Sequence, residues 1–407
     1  MRLRLDASAN GGAVADRRYS AEMPRSLVSA ALLGAALAAG CTTAAEPTTS
    51  VPPTEAALRT PEPTNAATSV PVATTDTTTS TTVAPTTTTV APKRPIVLGF
   101  AGDTSFTNGL DARDPFGDVT AELSAPDLMA VNLETTVAEV EVGTRVDKEF
   151  TFKSPPHSVE LLTAAGIDAV QLANNHTLDF MRPAMLRTLE LLDQADLPHA
   201  GAGTDPAAAY APTFLDIGDW RIGVVAFSRV PCDWSASGEN TRPEVAWTCD
   251  LFVDDAAAAV GRAAGGADLV VVMVHWGIEG DHCPQPFQRQ LAQAWADAGA
   301  DLVIGGHPHV LQGVERVGDA WLVNSTGNFA FPSARDATAR TAIFEFTVSD
   351  DETTLHVIPV RVASGRPAPA TGDDAASILS DLGRWSFGYV FDDTGAAIPT
   401  DEPSDCE

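Results

Sequence analysis

Positive charge is scarce in this sequence. Its 407 residues include 25 lysines and arginines against 54 aspartates and glutamates, which gives a formal net charge of -29 at pH 7. A protein that binds nucleic acid needs a basic face that neutralises phosphates, so this balance argues against a nucleic-acid partner. The simplest meaning of the excess negative charge is a well-solvated acidic surface.

Cysteine is also scarce, and none of the five cysteines has the C-x-x-C spacing of a zinc site, which argues against zinc bound by thiols. Cys41 lies in a targeting segment, and the four others, Cys232, Cys249, Cys283 and Cys406, allow three pairings. Closing the short loop between Cys232 and Cys249 costs the least chain entropy, so we predict that disulfide. Cys283 is then expected to pair, if at all, with Cys406.

The N-terminal part lacks an apolar run long enough to cross a membrane. Residues 27–39 are apolar, but a spanning helix needs about 20 residues. The run follows Arg25 and ends in small residues before Cys41, the order of a secretory signal and its cleavage site. We therefore predict a lipoprotein-type signal peptide over residues 1–41, with Met23 as a possible start. Export across the cytoplasmic membrane follows, with a lipid anchor on Cys41 at the extracellular face; cleavage without a lipid is the alternative.

Residues 42–94 lack aromatic side chains and carry few charges. Threonine, proline, alanine and valine dominate this tract. Such a composition cannot bury enough apolar area to offset the entropy of an ordered chain, so we expect a disordered Thr/Pro-rich linker. At about 3.1 Å per residue, an extended linker of this length would hold a domain on the order of 150 Å from a membrane.

Five apolar runs in the remaining chain each end in residue types that bind metals. The run that ends at Leu172 leads into Asn174-Asn175-His176, and buried amides and imidazoles must be hydrogen-bonded or ligated. The other runs lead into Asp103, Glu134, His275 and the pair His307 and His309. Sites in parallel α/β sheets form at the carboxyl ends of strands, so these side chains converge if the strands share one direction. Each residue alone is weak evidence; the set in this order predicts a metal-binding or acid/base cluster.

Helical patterns alternate with these strands. We predict helices over residues 155–166, 183–192, 254–264 and 286–298. Hairpins are predicted for residues 213–217 with 220–227, 314–317 with 321–324, and 341–348 with 354–362. Parallel strand–helix units together with antiparallel hairpins predict an α/β domain over residues 95–363, with a mixed two-sheet core between helices. Residues 364–407 are expected to form a C-terminal extension that packs partly onto this domain.

Several motifs in this order resemble those of one family. They are Asp103, Asn132-Leu133-Glu134, Phe152-Lys153-Ser154-Pro155-Pro156, Asn174-Asn175-His176 with Asp179, His275-Trp276-Gly277 with Glu279, Gly306-His307-Pro308-His309 and Ser325-Thr326-Gly327-Asn328-Phe329. Together they are similar to the CapA (poly-γ-glutamate capsule synthesis) family, within the calcineurin-like metallophosphoesterase superfamily. The resemblance covers about residues 95–362. It implies a four-layer αββα sandwich with mixed sheets and a two-metal site.

The resemblance also implies a ligand set. A first metal would be bound by Asp103 and His309. A second metal would be bound by Asn175, His275 and His307.

Two further positions, Glu134 and His176, receive roles from the same resemblance, and one position departs from the family pattern. Glu134 would bridge both metals, in the place where superfamily phosphatases usually carry an aspartate. His176 would be the acid near the leaving oxygen, and Asp179 would orient it. Superfamily phosphatases carry a histidine two residues after the first aspartate, and here that position is Ser105. The first metal would therefore lack one imidazole.

Two hypotheses from different classes follow. The first is an exported phosphoesterase in which two divalent cations (Mn, Fe or Zn) polarise the substrate and activate water, while His176 protonates the leaving group. The second is an accessory protein for making, anchoring or exporting an anionic polymer such as poly-γ-glutamate, with a structural or carboxylate-binding metal site. The expected partners are a phosphoester or an anionic polymer, the membrane through the lipid on Cys41, and polymer-synthesis machinery.

Overall fold

The computed structural model of the protein describes residues 92–232 and 244–407. The predicted signal peptide and almost all of the predicted linker lie outside these residues. No helix in the described ranges is both long enough and apolar enough to cross a membrane.

The described chain alternates strands and helices for most of its length. The strands are β1 (Ile96–Thr104), β2 (Leu128–Leu133), β3 (Thr136–Val137), β4 (Lys153–Ser154), β5 (Ala169–Gln171), β6 (His199–Ala200), β7 (Thr213–Ile217), β8 (Trp220–Ser228), β9 (Leu269–His275), β10 (Leu302–Gly306), β11 (Leu311–Val317), β12 (Ala320–Thr326), β13 (Arg340–Val348), β14 (Thr353–Ala363), β15 (Arg366–Pro369), β16 (Tyr389–Phe391) and β17 (Ala397–Pro399). The α-helices are α1 (Thr120–Leu123), α2 (Ser158–Ala164), α3 (Met181–Gln194), α4 (Pro206–Ala209), α5 (Val253–Ala264), α6 (Pro286–Asp297) and α7 (Gly372–Trp385). Single 3₁₀ turns lie at Asp111–Arg113 and Asp336–Ala339.

Two mixed sheets form the centre of the fold. The first has seven strands in the order β15-β14-β13-β1-β2-β5-β6, in which β1, β2, β5 and β6 run parallel and the other pairs are antiparallel. The second has six strands in the order β11-β12-β10-β9-β8-β7, with β12, β10, β9 and β8 parallel. The five predicted ligand-bearing strands therefore divide between the sheets, three in the first and two in the second.

The burial of β9 explains why its sequence is an unbroken apolar run. Val271 and Met273 pack into the core between the sheets, whereas Val270, Val272 and Val274 pack on the other face against the helices. Successive side chains of a strand point to opposite faces, so a strand covered on both faces is apolar throughout.

Helices cover the outer faces of both sheets. Val260 of α5 and Trp295 of α6 belong to the cluster on the outer face of the second sheet. Leu162 of α2 and Met185 of α3 pack against the first sheet, whose strands these helices connect. This arrangement confirms the predicted architecture, a four-layer αββα sandwich with mixed sheets.

The predicted helices and hairpins are present, with shifted ends. The helix predicted from residue 155 begins at Ser158, because consecutive prolines hold the residues before them in extended conformations. The helix predicted from Pro183 begins at Met181. A proline is tolerated in the first turn, where its missing N–H has no partner within the helix.

Both predicted disulfides are confirmed. Cys232 bonds to Cys249, 17 residues away, and Cys283 bonds to Cys406, 123 residues away. The second bond fastens the end of the chain to the loop after β9. Cross-linking a loop of on the order of 100 residues removes about 4.7 kcal/mol of unfolded-state entropy in the chain-entropy description.

Candidate metal centre

The carboxyl ends of strands from both sheets meet at one place. The backbone of Asp103, near the end of β1, bonds to the loop after β12: its N–H donates to Gly327 O (2.9 Å) and its carbonyl accepts from Phe329 N–H (2.8 Å). A Cβ on Gly102 would lie 1.9 Å from Gly327 O, so only glycine permits this approach. These bonds join the two sheets at the place where the ligand-type residues emerge.

Glu134 lies at the centre of this region. It directly follows β2 and is completely buried, and neither carboxylate oxygen has a hydrogen-bond partner among the described residues. Burial, and then the neighbouring carboxylate of Asp103, raise the pKa of Glu134 well above its usual range. An ionised carboxylate is costly to bury without a partner, so this position requires either a proton or a cation.

Imidazoles surround the Glu134 carboxylate on both sides. His275 Nε2 lies 3.5 Å and His176 Nε2 3.7 Å from Oε1, whereas His309 Nδ1 lies 3.9 Å from Oε2. Two groups of possible ligands share this glutamate, and in each group the ligand atoms lie within 4.8 Å of one another. The groups are Glu134 with His275 and His307, and Glu134 with Asp103 and His309. Buried imidazoles and carboxylates at this spacing fit a bound divalent cation.

Amide side chains hold the first of these groups in place. Asn175 Oδ1 lies 2.9 Å from His275 Nε2, and His307 Nδ1 lies 3.1 Å from the same atom. On the other side of the His275 ring, Nδ1 lies 3.1 Å from the amide nitrogen of Asn132. That amide is fixed in turn, because Asn132 Oδ1 accepts a 3.0 Å bond from Asn174 Nδ2. The Nε2 atom of His275 therefore faces the ligand group.

The loop that carries two histidines has a strained backbone. His307 (φ 96°) and His309 (φ 57°) both have positive φ values, which side-chain-bearing residues rarely adopt. Each such residue costs on the order of 1–3 kcal/mol. The loop is held in place by the hydrogen bond that His307 N–H donates to Asp103 Oδ2 (3.2 Å). Gly306 allows this close approach, because a Cβ there would lie only 2.7 Å from Asp103 Oδ1. The strain places both imidazoles beside the carboxylates.

Electrostatics divide the histidines into two kinds. Burial alone would lower the pKa of His309, but Glu134 and Asp103 outweigh it and raise this pKa to about 10. His309 Nδ1 lies 3.0 Å from Asp103 Oδ2. Burial, and then the positive charge of His309, lower the pKa of His307 to about 3, and burial lowers that of His275 well below its usual range. In the metal-free protein at neutral pH, His309 is therefore charged while the other two imidazoles are neutral.

His176 is held differently, by a carboxylate and an aromatic ring. Its Nδ1 lies 2.6 Å from Asp179 Oδ2, and its ring stacks on Phe152 at 3.9 Å between centroids. Lys148 Nζ bonds to Asp179 Oδ1 (3.1 Å) and to the backbone oxygen of Asn175 (2.8 Å). Burial lowers the pKa of His176, and Asp179 works against that shift. The imidazole is thus fixed, with its Nε2 atom toward Glu134.

The structure brings together in this one region all eight residues that the sequence predicted for the site. They are Asp103, Glu134, Asn175, His176, Asp179, His275, His307 and His309. Their chemical roles stay predictions. The structure adds Lys148, Phe152 and Asn132, to which no role was given. Asn132 was visible as an amide inside a buried strand, whereas Lys148 lies in a loop without any pattern that would have pointed to it.

The comparisons with known proteins agree on a family. The family model "Bacterial capsule synthesis protein PGA_cap" matches residues 82–333, more than half of the chain. This chain therefore belongs to the bacterial capsule synthesis protein family. It is 29% identical over 259 residues to the capsule biosynthesis protein CapA of Bacillus anthracis and 30% identical over 251 residues to the PGA biosynthesis protein CapA of Bacillus subtilis (strain 168).

These alignments are partial. They cover 63% and 61% of this chain, and 63% and 65% of the two relatives, so the chain spans just under two-thirds of the length of the curated relatives it matches. A solved structure of a phosphatase from Mycoplasma pneumoniae is 13% identical, with a TM-score of 0.42, and the match covers 66% of this chain and 94% of that one. This TM-score is too low to support the fold by itself, so the fold assignment depends on the sheet order and the layers described above.

The charged state of the centre predicts that metal binding releases protons. A cation can bind His309 Nδ1 only after its proton leaves, and the pKa of about 10 keeps that proton in place at neutral pH. Affinity should therefore rise with pH up to about pH 10, by up to about tenfold per pH unit for each proton displaced. Calorimetric titration of metal-free protein with Mn²⁺, in two buffers of different ionisation enthalpy, counts the protons. We expect at least one; binding that releases none and does not change with pH would contradict this charge assignment.

Proposed function

We propose that this member of the bacterial capsule synthesis family is a metal-dependent phosphoesterase that acts outside the cytoplasm. The observation that carries the proposal is Glu134. It is a completely buried carboxylate whose two oxygens have no hydrogen-bond partner in the described part of the chain, and it is shared by two groups of possible metal ligands. A bridging carboxylate between two cations accounts for both properties, because each oxygen would then be ligated.

The proposed ligands follow the two groups. The first metal would be held by Asp103 and His309 and the second by Asn175, His275 and His307, with the Glu134 carboxylate shared between the two sites. Imidazole, carboxylate and amide ligands together suit Mn, Fe or Zn. When bound, two divalent cations supply Lewis-acid polarisation of a phosphoryl oxygen and activation of a water molecule.

His176 serves as the general acid in this proposal. Its Nδ1–H donates to Asp179, so the proton that it can transfer is on Nε2, the ring atom that faces the Glu134 carboxylate. Stacking on Phe152 prevents the ring from turning away. Asp179 stabilises the protonated imidazole, which offsets part of the cost of charging a buried histidine.

The proposal predicts that two histidine variants fail in different ways. His176→Ala should keep its bound metal and lose about 10²–10⁴-fold in turnover, the usual contribution of a general acid. His307→Ala removes an imidazole from the second metal, so it should release metal as well as activity. Metal content by plasma mass spectrometry and the hydrolysis rate of a generic aryl phosphoester with added Mn²⁺ are measured for both variants in one buffer.

His199→Ala is the matched control, since this histidine lies on the edge strand β6 and pairs with Asp193. It should change neither quantity. Equal loss of metal from the His176 and His307 variants would make His176 a ligand and would overturn its assignment as the acid.

A second candidate function is a non-hydrolytic accessory role in the synthesis, anchoring or export of poly-γ-glutamate or another capsule polymer. Ser105 favours it, because a serine stands where superfamily phosphatases carry a histidine ligand, which weakens the first metal site. The names of the Bacillus relatives also refer to capsule and PGA biosynthesis. Wild-type protein that binds metal but hydrolyses no phosphoester in the assay above would support this role over the enzymatic one.

Export and lipidation are part of the proposal and have their own prediction. The apolar run before Cys41 supports a diacylglyceryl group on that residue in the mature protein. Intact-protein mass spectrometry of the membrane fraction should find a chain that begins at Cys41 and carries the lipid mass. Replacing Cys41 with Ser should move the protein out of the membrane fraction. An unmodified N-terminus at another position would contradict the prediction.

A further inference from the structure

We propose that Asn328 is a protein ligand of the first metal and supplies the coordination that Ser105 cannot. This inference depends on the two-metal centre of the proposed function, and it adds a residue to which the sequence analysis gave no role. Ser105 is completely buried, and its hydroxyl lies 3.5 Å from the hydroxyl of Thr107. Without a further donor, Asp103, His309 and the shared Glu134 are the only proposed protein ligands of this metal.

The backbone places Asn328 directly beside Asp103. The two residues form a parallel β-bridge, and the flanking residues Gly327 and Phe329 make the two backbone hydrogen bonds to Asp103. Asn328 is 2% exposed. Its side chain therefore starts from a fixed position next to the carboxylate of the proposed first site.

The hydrogen bonds of the Asn328 amide determine which atom faces the site. Its nitrogen lies 3.1 Å from Thr338 O and 3.4 Å from His309 O, and both are carbonyl oxygens that can only accept. The amide oxygen therefore points the other way, to 2.9 Å from His309 Nδ1. The same Nδ1 atom lies 3.0 Å from Asp103 Oδ2.

These distances match those between neighbouring ligand atoms. Two donors that are each about 2.1 Å from a cation, at right angles to each other, lie about 3 Å apart. The separations from His309 Nδ1 to the Asn328 and Asp103 oxygens both have this value. Each oxygen therefore lies at the separation from His309 Nδ1 that two ligand atoms of one cation would have.

Asn328 would also set the ligand chemistry of the first site. With Asp103, Glu134 and His309, it would give that site three oxygens and one nitrogen. Such a set favours Mn²⁺ or Mg²⁺ more than the ligands of the second site do.

The competing interpretation is that Asn328 only orients His309, whose Nε2 would then bind the metal. A crystal of the full chain soaked in Mn²⁺ separates the two. As a ligand, the Asn328 oxygen should lie about 2.1–2.3 Å from an anomalous manganese peak bound by His309 Nδ1. A peak on Nε2, with the amide oxygen beyond about 3 Å, would overturn the proposal.

Variants test the same point in solution. Equilibrium dialysis against Mn²⁺ should find two ions per wild-type chain. Asn328→Ala should bind the ion at the first metal site about 10–100-fold more weakly. Asn328→Asp, which keeps an oxygen donor, should still bind two and controls for any disturbance of the loop. Asn324→Ala is the matched control, because it removes another buried amide, from β12, and should also bind two. Unchanged binding by Asn328→Ala would overturn the assignment.

The phosphoesterase assay is kept separate, so that the two proposals can fail independently. Wild type that binds Mn²⁺ through Asn328 without hydrolysing a phosphoester would reject the enzymatic function and leave the ligand assignment in place. Hydrolysis by wild type, together with two tightly bound ions in Asn328→Ala, would reject the ligand assignment and leave the enzymatic function in place. A wild-type chain that binds no Mn²⁺ would overturn both.

Discussion

The arrangement of this protein depends on one buried carboxylate. Glu134 has no exposed surface and no hydrogen-bond partner within the described residues, and burial of an unpaired charge is among the most costly events in folding. The surrounding residues do not remove that cost by donating to it. They place three imidazoles within 4 Å of the carboxylate instead. A buried carboxylate surrounded by imidazoles is suited to binding a cation, and the packing of the rest of the domain maintains this arrangement.

The two-sheet architecture holds Glu134 and the surrounding imidazoles rigidly in place. Glu134 follows a strand of the first sheet, whereas His275 ends β9 of the second. Neither sheet alone could hold both groups. Glycines at 102 and 306 let backbone and carboxylate approach where any side chain would collide. The positive φ values of His307 and His309 are maintained because the packed layers on either side of the loop restrict its backbone conformation.

The sequence revealed the parts of the site that lie at strand ends. Apolar runs such as that of β9 are readable because both faces of the strand are buried, and the polar residue that ends each run then stands out. The sequence predicted two sheets but did not reveal which of these strands belong to which sheet, since sheet membership depends on pairing between distant segments. Lys148 was missed for a related reason, because its position follows from the Asp179 ion pair, a tertiary contact with no local pattern. Asn328 stood in one of the quoted motifs, but only its bridge to Asp103, also a tertiary contact, places it beside the proposed first site.

Electron paramagnetic resonance of the manganese-loaded protein tests most directly whether Glu134 bridges two cations. Two Mn²⁺ ions bridged by a carboxylate lie about 3.5–4 Å apart and are magnetically coupled. The second equivalent of Mn²⁺ should therefore convert the six-line spectrum of an isolated ion into a multiline spectrum of a coupled pair, and Glu134→Gln should weaken or abolish that coupling. An uncoupled six-line spectrum from wild-type protein at two bound equivalents would contradict a bridging Glu134.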